Sequence, residues 1–256
     1  MPKKLLTLSQ PPERFRIVVG TNSLIGTSQG PYSNHCQMWY RFGRYYTNVD
    51  FAFSNPPRMS IDRMRNMTAE YALAVEARYV LFIDDDVLLP LPFDFLKKLI
   101  DLDSDIAAGD VIIRGYPFNH MLFRWNKEKS GLLQIPKLPK KRGPYPCDAV
   151  GFSCCLIKTE LIKKLSKPYF ITGAANTEDI YFCLKAREEY PKTTIMADTS
   201  VICGHVLWNE VIDSHNKANY SRYWKAQFEK PERSKDKEAC FRGNEYRETV
   251  RRIVNA

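Results

Sequence analysis

The chain has 256 residues, of which 44% are hydrophobic and 26% are charged, and this composition excludes a disordered protein and is typical of one globular domain, alone or with an appendage. Its net charge of +9 at pH 7 favours polyanionic partners, namely nucleotide diphosphates, nucleic acid or an anionic membrane surface. The seven cysteines are an odd number and show no C-x-x-C spacing, so we expect reduced, mostly buried thiols rather than a disulfide framework or a zinc site.

No apolar run approaches the length of about eighteen residues that a membrane span requires. The apolar run within residues 1–15 is also too short for a signal peptide. The sequence therefore predicts a cytoplasmic protein, in the host cytoplasm if the protein is viral, with no integral membrane segment. No feature of the sequence predicts the oligomeric state.

The first third of the chain predicts alternating strands and helices. Residues 15–19 and 49–53 are short apolar runs bounded by turn residues, which is typical of strands. Residues 60–76 carry apolar side chains near helical spacing and predict a helix. Residues 30–46 are rich in aromatic side chains, and we assign no chemistry to them.

An acidic stretch, RYVLFIDDDVLLP over residues 78–90, carries the strongest chemical signal. Residues 79–83 predict a strand buried on both faces of a sheet, and the aspartates follow where that strand leaves the sheet, because buried carboxylates without partners are costly. Side chains alternate along a strand, so we expect Asp84 and Asp86 to point the same way and Asp85 to point to the other side. Two oxygen ligands of this kind suit Mg²⁺ or Mn²⁺. The alternative is an acidic loop that caps a helix.

The rest of the chain continues the alternation, with one long interruption. The predicted elements are a helix over 93–105, a strand over 106–115, a strand, turn and helix over 147–165, a helix after Thr177, strands over 194–196 and 200–203, and helices around 220–228 and 242–256. Residues 116–145 lose the pattern and are rich in proline and lysine, which indicates a functional lid or a disordered segment. Its basic residues, Lys140, Lys141 and Arg142, are candidate contacts to a polyanion or a solvated charge run.

Four segments resemble, in this order, the nucleotide-sugar glycosyltransferases with the GT-A fold, in particular family 2-like enzymes of viral or bacterial type. They are MRNMTAEYALAV, the acidic stretch, CDAVGFSCCLIKTELIKKL, and TEDIYFCLKA followed by DTSVICGHV. The resemblance implies an α/β GT-A domain over residues 1–210, with a mostly parallel central sheet flanked by helices. It also implies that residues 211–256 form a C-terminal helical extension packed on the same domain.

The resemblance implies site residues by motif position. Those implied to bind the donor are Thr21, Asn22, Arg65, Asp84, Asp85, Asp148 and Gly151. Those implied to hold the metal are Asp84, Asp86 and His205. Asp110, after the strand over 106–115, is a secondary candidate. Each of these residues also has a simpler interpretation as a turn residue, an exposed arginine, a helix cap or a hydrogen-bonded core histidine.

The implied activity is that of a metal-dependent hexosyl- or pentosyltransferase with a nucleoside diphosphate sugar as donor. Glu178 and Asp179 are the implied catalytic pair, with Asp179 as the general base toward the acceptor hydroxyl and inversion as the outcome. The acceptor is a glycan, which the family favours, another hydroxyl compound such as a protein side chain, or a modified DNA base such as a hydroxymethylpyrimidine, which the basic charge favours. The alternatives are a sugar-nucleotide nucleotidyltransferase, a phosphatase with an aspartyl nucleophile, and a non-catalytic nucleotide-sugar-binding module.

Overall fold

A computed structural model of the protein describes residues 14–22, 29–126, 131–173, 176–207 and 210–228. The chain forms two compact units that divide between His215 and Asn216. The first unit is an α/β structure built around a seven-stranded sheet. In the second unit, the described residues form helix α6 (Lys217–Phe228). The packing of residues 211–256 on the domain stays a prediction.

The central sheet has the strand order β2-β1-β3-β10-β5-β11-β8. Its strands are β1 (Phe15–Asn22), β2 (Val49–Ser54), β3 (Tyr79–Asp84), β5 (Ile106–Asp110), β8 (Pro144–Pro146), β10 (Cys154–Lys158) and β11 (Ile195–Ile202). Five of the seven strands, β1, β2, β3, β5 and β11, run in one direction, and β8 and β10 run against them. The mostly parallel α/β sheet predicted from the sequence is therefore confirmed.

Helices and two small sheets surround the central sheet. The helices of the first unit are α1 (Gln29–Tyr45), α2 (Ile61–Ala74), α3 (Phe95–Asp101), α4 (Thr159–Lys164) and α5 (Glu178–Glu189). One small sheet contains β4 (Val87–Leu88), β12 (Gly204–Leu207) and β13 (Glu210–Ile212). The other contains β6 (Leu122–Asn126), β7 (Gly131–Gln134) and β9 (Ala149–Val150). These segments add the strands that carry the rim of the site.

Strand β3 is buried on both faces, as its apolar sequence predicted. Val80 and Phe82 pack into a core cluster with buried residues of α2, α4 and α5, whereas Leu81 and Ile83 pack into a second cluster with buried residues of α1 and α3. All four side chains are fully buried. Because side chains alternate along a strand, Asp84 continues the face of Val80 and Phe82 and therefore lies on the side of α2 and α5.

Helix α1 was not predicted, although its sequence carries a helical signal. Its buried residues, Pro31, His35, Met38 and Phe42, recur at intervals of four, three and four along the chain. Pro31 lies in the first turn of this helix, where proline is tolerated because its missing N–H has no helical partner. The apolar stripe therefore decides the structure of this segment.

Two segments of the second half also differ from the prediction. The interruption over residues 116–145 contains β6 and β7, which form an antiparallel pair, and the first residues of β8. The two strands predicted over 194–196 and 200–203 are one strand, β11, whose pairing with β5 shifts register between Asp198 and Ile202. In the sequence, the polar Asp198-Thr199 pair interrupts the apolar pattern at this register shift, so the segment looks like two separate strands.

Gly20 of β1 is where α2 packs against the sheet most closely. A Cβ atom at this position would lie 2.7 Å from Cγ2 of Thr68, a buried residue whose hydroxyl is 2.9 Å from that of Ser54. We expect Gly20→Ala to lower the free energy of unfolding by about 1–3 kcal/mol in urea titrations, because Thr68 cannot turn away without losing that hydrogen bond.

The matched control for this prediction is Gly43→Ala in α1. A Cβ atom at Gly43 meets nothing within 4 Å, and alanine favours a helix over glycine by about 0.5–1 kcal/mol. We therefore expect this variant to be as stable as the wild type or more so. Equal stability changes in the two variants would contradict the close packing of α2 on β1.

Candidate active site

Asp84, the last residue of β3, is fixed by a cation and a hydroxyl. Its Oδ1 accepts a hydrogen bond from Arg65 Nη2 at 3.1 Å, and its Oδ2 accepts one from Ser153 Oγ at 2.6 Å. The Asp84 backbone N–H also donates to the Ser153 carbonyl at 3.1 Å, where β3 and β10 begin their antiparallel pairing. The acidic end of the strand is therefore held from two neighbouring elements.

Arg65 of α2 is the buried cation of the site. The residue is 2% exposed, and its guanidinium carbon lies 5.5 Å from the ring centroid of Phe82 and 5.4 Å from that of Phe152. Nη2 contacts Asp84, and Nη1 forms an ion pair with Glu178 Oε1 at 2.9 Å. Burial lowers the pKa of Arg65, but the charges of the two carboxylates outweigh burial and raise that pKa above its ordinary value. The predicted phosphate contact of Arg65 stays a prediction, since both terminal nitrogens face carboxylates.

Glu178 starts helix α5 and is the second carboxylate bound to Arg65. Its side chain is 8% exposed, and its Oε2 accepts a hydrogen bond from Thr172 Oγ1 at 3.5 Å. Burial raises the pKa of Glu178 more than the charge of Arg65 lowers it, and the neighbouring Asp179 adds to the rise. Both oxygens of Glu178 are therefore engaged within the protein.

Asp179 is buried beside Glu178, and the hydrogen bonds that it accepts from described residues all reach one of its two oxygens. Its Oδ1 accepts hydrogen bonds from the Thr177 hydroxyl and from the Ile180 backbone N–H, the latter at 2.7 Å. Thr177 occupies the N-cap position of α5, but its hydroxyl bonds Asp179 and not the helix backbone. Among the described residues nothing donates a hydrogen bond to Asp179 Oδ2, which leaves this oxygen able to accept a proton.

The segment before α5 is tied to α2 by the residue that follows Arg65. Asn66 donates to the Phe170 carbonyl at 2.7 Å and accepts from the backbone N–H groups of Tyr169 and Phe170 at 2.9 and 3.2 Å. The Arg65-Asn66 pair therefore joins α2 both to the acidic strand end and to the segment that leads into α5.

Asp86 does not share a face with Asp84, and the prediction that both point the same way is wrong. Strand β3 ends at Asp84, and residues 85–86 form a turn, so strand alternation stops before Asp86. Its carboxylate lies 2.7 Å from Arg114 Nη1 and 3.4 Å from His205 Nε2. Burial raises the pKa of Asp86, but the hydrogen bond and charge of His205, together with Arg114, outweigh burial and hold that pKa below its ordinary value.

The other predicted donor-binding residues lie around this edge of the sheet. Thr21 and Asn22 end β1 and pair in parallel register with Ile83 and Asp84. Asp85 lies in the turn that follows β3. The structure therefore places these three residues beside the acidic strand end, and their donor contacts stay predictions.

Asp148 and Gly151 have structural contacts that account for their residue types. Asp148 accepts hydrogen bonds from Arg187 of α5 and, at 2.8 Å, from the Trp125 backbone N–H of β6. A Cβ atom at Gly151 would lie 2.4 Å from Met121 Cε, so a glycine lets the chain approach Met121. The donor contacts predicted for both residues stay predictions.

Two residues of the site were not predicted from the sequence. Ser153 carries no chemical signal in the sequence, and its hydrogen bond to Asp84 comes from the pairing of β10 with β3. Arg114 is a single charged residue after an apolar strand, and this was the only signal for it. Its partner Asp86 is remote in sequence, so the pairing needs the fold.

Metal binding rests on two of the three predicted ligands. Across the described parts of the chain, no group of three or more His, Cys, Asp or Glu side chains could hold a metal ion. The structure brings Asp86 and His205 together, whereas Asp84 contacts Arg65. The full set of three ligands stays a prediction.

No helix in the described residues is both long enough and apolar enough to cross a membrane.

We expect Arg65→Met to lower the free energy of unfolding by about 3–5 kcal/mol near pH 8, because two carboxylates lose their buried cation. Glu178 has a raised pKa, so the fold favours its neutral form and loses stability as this group ionises with rising pH. Without Arg65 that pKa rises further. The loss should therefore be smaller near pH 5 than near pH 8 in urea titrations.

Arg187→Met is the control for this experiment. Arg187 is also paired with an aspartate, Asp148, but its side chain is 40% exposed. We expect a change of about 0–1 kcal/mol that is the same at both pH values. A pH-independent loss in Arg65→Met would mean that the variant acts through packing and not through the buried carboxylates.

Comparisons with known proteins identify the fold. No protein family matches the chain, and no curated protein matches its sequence. The solved structure of A197 from STIV matches with a TM-score of 0.51 at 17% identity, over 75% of this chain and 86% of that chain. S. aureus TarS 1–349 in complex with UDP-GlcNAc matches with a TM-score of 0.41 at 16% identity, over 73% and 58% of the two chains. The likeness to A197 shows the fold, and the chain has the α/β GT-A fold that its sequence predicted.

Proposed function

We propose that this protein is a glycosyltransferase that moves a sugar from a nucleoside diphosphate sugar to an acceptor hydroxyl and inverts the anomeric centre. The observation that carries the proposal is the ion-pair bridge through Arg65, which joins the acidic end of β3 to the Glu178-Asp179 start of α5. The bridge gathers these carboxylates at the carboxyl edge of the sheet, where open α/β folds bind ligands. Sugar transfer needs a group that stabilises the leaving diphosphate and a base for the acceptor, close to each other.

Asp179 is the general base in this proposal. Its Oδ1 is held by Thr177 and by the Ile180 N–H, which orients the carboxylate and leaves Oδ2 to take the proton of the acceptor hydroxyl. Glu178 is a positioning residue, because both of its oxygens are engaged and its ion pair with Arg65 fixes the first turn of α5. This division of roles follows from the contacts within the described residues, which engage both oxygens of Glu178 but only Oδ1 of Asp179.

Asp86 and His205 fit a divalent cation. His205 Nδ1 lies 2.7 Å from the Ile112 carbonyl, so Nδ1 carries a ring proton, and in the neutral form of the ring Nε2 turns its lone pair toward Asp86 Oδ1. Two acceptors that face each other need a proton or a cation between them, and histidines that bind metals commonly donate their other ring N–H to a carbonyl. An oxygen and an imidazole nitrogen suit Mn²⁺ or Mg²⁺. Bound there, such a cation would offset the charge of the leaving nucleoside diphosphate.

The basic segment supports an anionic acceptor. Arg142 donates to the buried carboxylate of Asp110 at 3.0 Å, and Gly143 and Thr199 exchange backbone and side-chain hydrogen bonds at 2.9 Å. These contacts anchor the segment at the carboxyl edge of the sheet. Three further lysines on it, Lys137, Lys140 and Lys141, are exposed. A modified DNA base therefore fits this surface better than a neutral glycan does.

We expect Asp179→Asn to keep donor binding and thermal stability but to slow sugar transfer by at least about 10²-fold, because a general base is lost. Transfer of a radiolabelled sugar measures the rate, and NMR of the wild-type product should show the inverted anomer. Glu188→Gln is the control, since it removes an exposed carboxylate from the same helix. Wild-type transfer by Asp179→Asn would exclude Asp179 from the chemistry.

We expect excess chelator to stop transfer and Asp86→Ala to remove the dependence of nucleotide binding on Mn²⁺, because Asp86 is the cation's carboxylate ligand. Calorimetric titration of UDP and GDP with and without Mn²⁺ measures this dependence. Asp101→Ala is the control, as it removes an aspartate whose contact is with Lys97 on α3. Full activity in chelator would show that transfer needs no metal.

We expect label from nucleotide sugars to enter DNA that contains hydroxymethylated pyrimidines, with an affinity that falls steeply between about 50 and 200 mM salt. Replacing Lys137, Lys140 and Lys141 by Gln should flatten this salt dependence, while Arg142 is kept because it anchors the segment on Asp110. The same three replacements at Lys98, Lys163 and Lys192 are the control for net charge. Transfer to a neutral oligosaccharide with none to modified DNA would rule out the anionic acceptor.

A further inference from the structure

Arg114 belongs to the site but has no role in the chemistry proposed above. Its Nη1 lies 2.7 Å from Asp86 Oδ2, and its side chain is 50% exposed. The other oxygen of Asp86 faces His205 at 3.4 Å. Asp86 therefore has a half-exposed guanidinium on one oxygen and a proposed metal ligand beside the other.

The backbone that carries Arg114 is fixed, so that its side chain is the part able to change conformation. Residues 113–119 form a loop closed by the Ile113 N–H, which donates to the Asn119 carbonyl at 3.0 Å, and by the Phe118 N–H, which donates to the Gly115 carbonyl at 2.6 Å. Phe118 is 1% exposed and anchors the loop in the protein. The half-exposed guanidinium can therefore turn away from Asp86 without moving the loop.

We infer that Arg114 is the counter-ion of Asp86 before the donor binds and a ligand of the donor's diphosphate afterwards. This inference rests on the proposed function. Arg114 would be repelled from Asp86 once that carboxylate binds a divalent cation, because like charges repel strongly at short range. The diphosphate that arrives with the cation replaces Asp86 as the negatively charged partner of Arg114. A guanidinium binds phosphate oxygens through two parallel N–H groups.

This exchange has a consequence for the order of binding. Without nucleotide, Arg114 competes with the cation for Asp86 and lowers the affinity for the metal alone. With nucleotide, Arg114 binds the diphosphate and raises the affinity for nucleotide and metal together. One side chain therefore favours binding of the cation as a complex with the donor over binding of the free cation.

Arg114→Gln separates the two effects. Electron paramagnetic resonance of free Mn²⁺ should show that the variant binds Mn²⁺ alone about three- to fivefold more tightly than the wild type, since a half-exposed ion pair is a weak competitor. Calorimetry in saturating Mn²⁺ should show UDP binding weakened by about tenfold or more, because a charged hydrogen bond to phosphate is lost. Arg114→Lys keeps the charge without the paired N–H groups and should bind UDP with intermediate affinity.

The control is Arg14→Gln, which breaks another exposed arginine–aspartate pair, with Asp50, at the amino end of the sheet. It should match the wild type in both titrations. Unchanged Mn²⁺ affinity in Arg114→Gln would overturn the competition, and unchanged UDP affinity would overturn the diphosphate contact. A wild-type protein that binds neither Mn²⁺ nor UDP nor GDP would instead overturn the proposed function, and this inference with it.

Discussion

The guanidinium of Arg65 connects two acidic elements that are remote in sequence. It lies between the rings of Phe82 and Phe152 and pairs with Asp84 at the end of β3 and with Glu178 at the start of α5. A buried carboxylate without a partner costs several kcal/mol, so the burial of Glu178 and the partial burial of Asp84 both depend on this cation. The positions of the strand end and of the helix start therefore depend on each other, and Asp179 takes its place from that pairing.

The site combines two kinds of ion pair with different consequences. The pairs of Arg65 are largely shielded from solvent, with side-chain exposures of 3% for Arg65, 8% for Glu178 and 22% for Asp84, and they fix the geometry. The pair between Arg114 and Asp86 is half exposed and can be exchanged for another cation. The buried pairs of Arg65 hold the proposed base, Asp179, in place. The more exposed pair of Arg114 can open when a charged donor binds or leaves.

Local sequence patterns predicted the elements whose signal lies within one segment. The buried strand over residues 79–83, the helix over residues 60–76 and the helix after Thr177 all follow from short-range rules. The direction of Asp86 does not, because it depends on where β3 ends, and a carboxylate run contains no sign of that turn. The partners Arg114 and Ser153 lie far along the chain, so only the strand order brings them to the aspartates.

In the proposed function, the acidic end of β3 and the start of α5, which Arg65 joins, form one site for a nucleotide sugar, with the cation at Asp86 and the acceptor at Asp179. The most direct measurement is an anomalous-scattering map from crystals of the protein grown with Mn²⁺ and UDP. The account predicts a manganese peak within coordination distance of the Asp86 carboxylate and of His205 Nε2, with the nucleotide at the same edge of the sheet. Bound UDP with manganese absent from Asp86 and His205, or placed elsewhere, would contradict it.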